Sequence, residues 1–167
     1  SDSTIGGNQV PAVTFGSSTM YLLQEWDGYA GELRLYSITG AIGSETFNVV
    51  ATPKITSPWF SGGYLYCPQS GGFDAISCGD TSVQGLVLRN NRLWAVHTVA
   101  LRDNTVDAVT RTAIQWWKLS TTGGVLDHGR IDDPTGQTYF GFPSIAVNKN
   151  NCSSPKRATI IRAHLKF

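Results

Sequence analysis

Among the residues able to do chemistry, paired carboxylates come first. Glu25 and Asp27 stand two apart in Met20-Tyr21-Leu22-Leu23-Gln24-Glu25-Trp26-Asp27. A strand would carry both on one face, and two acids held about 5–9.5 Å apart are the working pair of glycosidases. They are the weak catalytic candidates. Asp132 and Asp133 precede Pro134-Thr135-Gly136, and Asp103 and Asp107 flank another turn. Aspartate-rich loops offer hard oxygen ligands to Ca²⁺, so Asp132 and Asp133 are the candidates should the chain hold that ion; ordinary turn chemistry explains the same residues. No other cofactor is expected.

The histidines His97, His128 and His164 lack the H-x-x-x-H or H-E-x-x-H spacing of a zinc site. Structural or solvated roles are expected of them. No G-x-S-x-G elbow and no G-x-G-x-x-G or G-x-x-x-x-G-K-[ST] phosphate loop occurs. Aromatic residues give the better hint. Trp59 sits in Thr56-Ser57-Pro58-Trp59-Phe60-Ser61-Gly62-Gly63, close to Tyr64 and Tyr66, with Gln69 and Asp74 following. An aromatic on such a loop stacks on the apolar face of a sugar while polar neighbours take its hydroxyls, or it plugs the core beneath the loop. Trp59, Tyr64, Tyr66, Gln69 and Asp74 are therefore the candidate ligand-binding set.

Cys67 and Cys78 enclose a turn-rich loop and can approach to disulfide distance. That link implies an oxidising location: secreted, periplasmic or on the cell surface. Cys152 is left over, within Asn151-Cys152-Ser153, which fits the glycosylation pattern. Charged residues are only 15% of the 167, against 41% apolar, and the net charge is +1. No global basic field exists to hold nucleic acid, and no apolar run approaches a membrane span. Residues 152–167 form a basic strip with Lys156, Arg157, Arg162 and Lys166 and no acid. It reads as one polar face of a last strand or as a contact for an acidic neighbour. No leader with a basic head and apolar stretch opens the sequence, so any targeting peptide is expected to be already removed or outside it.

The elements that must position these residues are strands. Ile161, Ala163, Leu165 and Phe167 alternate with Arg162, His164 and Lys166, the period of a half-buried strand. Turn clusters such as Gly16-Ser17-Ser18, Asn90-Asn91 and Gly123-Gly124 separate short apolar runs. The chain reads as all-β.

A weak repeat orders these strands. One unit opens Val10-Pro11-Ala12-Val13, turns, and returns through Met20–Trp26; a second opens Gly85-Leu86-Val87-Leu88 and returns through Leu93–Val99; a third opens Phe142-Pro143-Ser144-Ile145. The first two continue into third strands at Leu35–Thr39 and Trp116–Ser120, and into fourth strands at Glu45–Val50 and Val125–Ile131. On these residues the chain resembles β-propeller proteins, whose blades are four-stranded antiparallel meanders around a channel. The resemblance spans roughly 9–151 and carries no catalytic residues with it. It implies about two and a half blades: 1–8 an N-terminal segment, 9–82 a first unit with the cysteine loop, 83–140 a second, and 141–167 an incomplete third. A β-sandwich or jelly roll is the alternative architecture. An open set of blades leaves an apolar face bare, so a second copy, another chain or further chain of the same protein is expected to complete it. The expected function is a β-rich binding module taking a glycan or a protein through loop aromatics. A glycoside hydrolase or lyase fragment and a purely structural assembly protein remain alternatives.

Overall fold

The computed structural model describes residues 7–61, 65–69, 75–102 and 108–148, and the backbone of 159–161 and 164–165. Tyr64, Asp74, Asp103, Asp107, Cys152 and the side chains of the basic strip lie outside the described residues.

All regular structure among the described residues is β, and all strand pairing within sheets is antiparallel. A first meander comprises β1 (Val10–Pro11), β2 (Met20–Asp27), β3 (Glu32–Thr39) and β4 (Thr46–Ala51). A short hairpin follows, β5 (Leu65–Cys67) with β6 (Ile76–Gly79). The second meander is β7 (Val83–Arg89), β8 (Arg92–Arg102), β9 (Val109–Ser120) and β10 (Val125–Ile131). A last unit pairs β11 (Tyr139–Phe140) with β14 (His164–Leu165) and β12 (Ser144–Ala146) with β13 (Thr159–Ile161). Strand order inside both four-stranded sheets follows chain order, without the crossover of a Greek key.

Local chemistry accounts for the hairpins. Asn90 and Asn91 link β7 to β8 with φ of 51° and 55°. A two-residue turn with both centres left-handed matches the twist of antiparallel strands, and asparagine tolerates that region. The long β8 runs Leu93 to Leu101 with every side chain buried. A strand covered on both faces loses alternation and reads as a continuous apolar run.

The meanders stack face to face. Leu23, Leu33 and Leu35 of the first join Leu86, Leu88, Leu93, Ala95, Trp117 and Leu119 of the second in one core. Just past β1 the chain makes a single parallel bridge to β7: Val13 N–H donates to Leu86 O at 2.9 Å and Val13 O accepts from Leu88 N–H at 2.8 Å. The opposite face of the second meander is also covered. Val87 and Trp94 pack with Ile145 and Val147, Val96 and Ile114 with Phe140, and Ala100 with Leu65, Cys67 and Cys78 of the β5–β6 hairpin.

The opposite face of the first meander has no such cover among the described residues. The register aligns Met20, Ile38 and Phe47 in one row and Leu22, Tyr36 and Val49 in the next. Met20, Phe47 and Val49 are 49%, 52% and 58% exposed. Tyr36 and Phe47 stack at 5.1 Å, and Arg34 lies over the Trp26 ring.

Candidate functional site

Where the segment 57–61 crosses between the meanders it closes a cavity of about 420 Å³, within the range of roughly 300–1,000 Å³ common to ligand sites. Tyr29, Pro58, Trp59 and Phe60 supply its aromatic and apolar lining, and Ala100 and Leu101 of β8 its base. Arg102, Arg111, Arg130 and Asp132 supply the charge.

Trp59 organises the segment. Its N–H donates to Gly28 O at 2.9 Å and its indole Nε1–H to Glu25 Oε1 at 3.3 Å. The Ser61 hydroxyl donates to the same Glu25 oxygen and accepts Gly28 N–H at 2.8 Å. A Cβ on Gly28 would strike the indole and the Ser61 hydroxyl, so glycine is required there for close approach. At 3% exposure Trp59 is a core residue that also meets the cavity, rather than a free stacking platform. Its ring packs edge-on against His97 at 5.0 Å and Trp117 at 6.1 Å.

Behind Trp59 lies a closed polar pair. His97 is fully buried; its Nδ1 faces Thr81 O at 2.9 Å, and its Nε2 accepts Trp117 Nε1–H at 3.1 Å. A carbonyl demands a proton on Nδ1 and an indole N–H demands a lone pair on Nε2, which fixes the neutral tautomer. Burial lowers the His97 pKa to about 4, against the opposing Thr81 contact. Glu25 is held by the reverse logic. Burial raises its pKa above the ordinary carboxylate value, the Ser61 and Trp59 hydrogen bonds pull it down, and Asp27 and Asp80 push it up.

The cationic side rests on β9 and β10. Arg130 stands opposite Gln115 in the register. Gln115 Nε2 donates to Gly129 O at 2.8 Å and Trp116 O at 3.2 Å, which leaves its Oε1 to accept Arg130 Nε–H at 3.0 Å. Arg130 Nη2 donates to Ser57 O at 2.8 Å. Arg111 grips Asp132 with two bonds, 2.9 and 3.0 Å. Phe60 lies between Tyr29, edge-on at 5.3 Å, and the Arg102 guanidinium at 4.0 Å.

The carboxylates expected to work together are set to separate tasks. A register shift falls between Glu25 and Asp27. Glu25 turns onto Trp59 and Ser61, whereas Asp27 Oδ1 caps the turn at Ala30 N–H, 3.1 Å away. Neither lines the cavity. Asp132 is engaged by Arg111, and Asp133 closes its turn by accepting from Thr135 N–H at 3.0 Å and from the Thr135 hydroxyl at 2.6 Å. The Thr135 and Thr138 contacts hold the Asp133 carboxyl below its ordinary pKa. No cluster of three metal-ligating side chains occurs among the described residues. Of the aromatic set, Trp59 lines the cavity, while Tyr66 and Gln69 are exposed elsewhere on and after β5. Cys67 and Cys78 lie at disulfide distance with Cα atoms 6.1 Å apart, both buried.

Sequence reading missed Tyr29, Phe60 and the arginines of the cavity. The only local trace was the β9–β10 turn at Gly123-Gly124; counting back from it approximates the Gln115–Arg130 pairing, but a register shift between Val125 and Asp127 spoils the count.

Comparison with known proteins found no matching family model, no matching curated protein and no matching solved structure. No helix among the described residues is long and apolar enough to cross a membrane.

Proposed function

We propose that this chain is a binding module of the propeller type that seats a glycan or a protein segment in the cavity between its meanders. The carrying observation is that cavity: ligand-sized, walled by Tyr29 and Phe60, and braced from behind by Trp59 on Glu25. An aromatic wall with a few fixed polar groups is how small-ligand sites combine affinity and orientation. The buried cysteine pair supports work in an oxidising compartment, outside the cytoplasm. The exposed Met20, Phe47 and Val49 on the reverse face of the first meander support a further unit stacking there, from another chain, another copy or more of the same protein.

The test is an array of oligosaccharides and extended peptides probed with the wild type and with Tyr29→Ala and Phe60→Ala. Binding by the wild type and loss in both variants are expected. An array on which the wild type binds nothing would remove the reading. A pure assembly role is the second reading, and the bare sheet face is the observation that favours it.

A further inference from the structure

The cavity has three arginines against one carboxylate among its described lining residues. They are not equivalent. Arg111 is spent on Asp132 through a bidentate pair. Arg102 lies over the Phe60 ring at the mouth. Arg130 differs from both. Its side chain is held by two neutral acceptors, Gln115 Oε1 and Ser57 O, and makes no ion pair within contact distance among the described residues.

A guanidinium has five N–H donors in a rigid fork. Two of those of Arg130 are used, one on Nε and one on Nη2, and Nη1 has no acceptor among the described residues. Gln115 cannot turn away, because both its amide protons are committed to Gly129 O and Trp116 O. The orientation of Arg130 is thus set before any ligand arrives. Loss of solvent on burial lowers the Arg130 pKa, the nearby Asp132 charge opposes this, and repulsion from Arg111 lowers it further. A cation placed so gains from an anion supplied by a ligand. The free end of a guanidinium fork matches the two oxygens of a carboxylate.

We infer that Arg130 is the anchor for a carboxylate on the ligand, so that the occupant of the cavity is an acidic saccharide whose ring lies against Tyr29. This rests on the binding reading above and names its ligand class. Tyr29 is 58% exposed, which leaves its ring open to such stacking. Gln115 acts as a positioning residue through Arg130.

Calorimetric titration with a galacturonate trisaccharide, the neutral galactose trisaccharide and a glutamate-rich peptide tests the inference. The wild type is expected to take the galacturonate and to bind the neutral sugar roughly tenfold to a hundredfold more weakly, the scale of lost hydrogen bonds to a charged group. Arg130→Gln should erase that preference and leave weak binding of both sugars; Gln115→Leu should weaken only the galacturonate. Equal binding of both sugars by the wild type overturns the anchor and leaves the binding module standing. Binding of the peptide alone replaces the saccharide by a protein ligand and also overturns it. Binding of none of the three, with an empty array, removes both readings. Because the comparison of ligands on the wild type decides the matter, a misfolded Arg130→Gln protein does not shelter the inference.

Discussion

The two four-stranded meanders share a topology and differ in what covers them. In the second, Trp94, Val96 and Ile114 on one face are 5%, 0% and 3% exposed, and Leu93, Trp117 and Leu119 on the other are all 0%. In the first, Leu23, Leu33 and Leu35 are likewise at 0%, yet Phe47 and Val49 on the reverse side are half in water. The sequences of the two sheets are comparably apolar on both sides. The difference lies in cover: among the described residues the second sheet is packed on both faces and the first on one. A soluble sheet with one finished face alternates apolar and polar residues, and the first meander does not. Its reverse face carries Met20, Phe47 and Val49 half in water.

That contrast ranks the expected effects of substitution. Trp117→Ala, at the centre of the shared core, should cost about 3–5 kcal/mol in urea unfolding, and should also strip His97 Nε2 of its donor. A loss under about 1 kcal/mol would mean that the faces of the two meanders are not tightly packed.

Reduction of the Cys67–Cys78 pair should cost about 3 kcal/mol on the chain-entropy account, given a separation of 11 residues. The loss should be felt by the second meander, where the hairpin covers Ala100, rather than by the first. Hydrogen exchange with and without reductant reads the location. Equal loosening of both sheets would blur the comparison.

Acid should act through His97. Its folded pKa, about 4, lies below the ordinary 6.5, so below pH 6.5 the unfolded chain takes up a proton that the folded chain refuses. Stability is full above that value and falls by about 3 kcal/mol as pH drops toward 4. Glu25 has the opposite sign: its raised pKa makes the folded state bind the proton first, which adds stability as pH falls through its window. The His97 contribution is therefore the difference between the wild type and His97→Asn, whose amide retains a donor for Thr81 O. Parallel pH curves for the two proteins would show that His97 carries no such linkage.

The smallest effect belongs to the open face. Phe47→Ser should change the stability of a single chain by about 0.5 kcal/mol or less, the scale of surface positions, while Trp94→Ser in the covered sheet should cost several times more. Similar losses for both would sharpen the account by showing that the first face is already covered in solution.

Much of the strand plan was legible because hairpin chemistry is local. Asn90-Asn91 marks the β7–β8 turn, and the returns Met20–Trp26 and Leu93–Val99 fall within β2 and β8. The β5–β6 hairpin hid inside a loop whose Gly and Ser residues masked two short strands. The cavity was less legible still. Arg130 reaches Ser57 across 73 residues of chain, and Tyr29 meets Phe60 across a gap of 31. Such meetings depend on how two sheets stack, which no local period encodes. Glu25 shows the opposite case. Its residue type suggested catalysis, but the fold spends it on holding Trp59.

Light scattering of the native protein tests most directly the proposal that a second copy of the chain covers the reverse face of the first meander. The account predicts concentration-dependent association above the chain mass of 18.1 kDa, abolished by the double substitution Phe47→Lys and Val49→Lys. A wild-type protein that stays at the mass of one chain at every concentration, with the double variant indistinguishable from it, would contradict it.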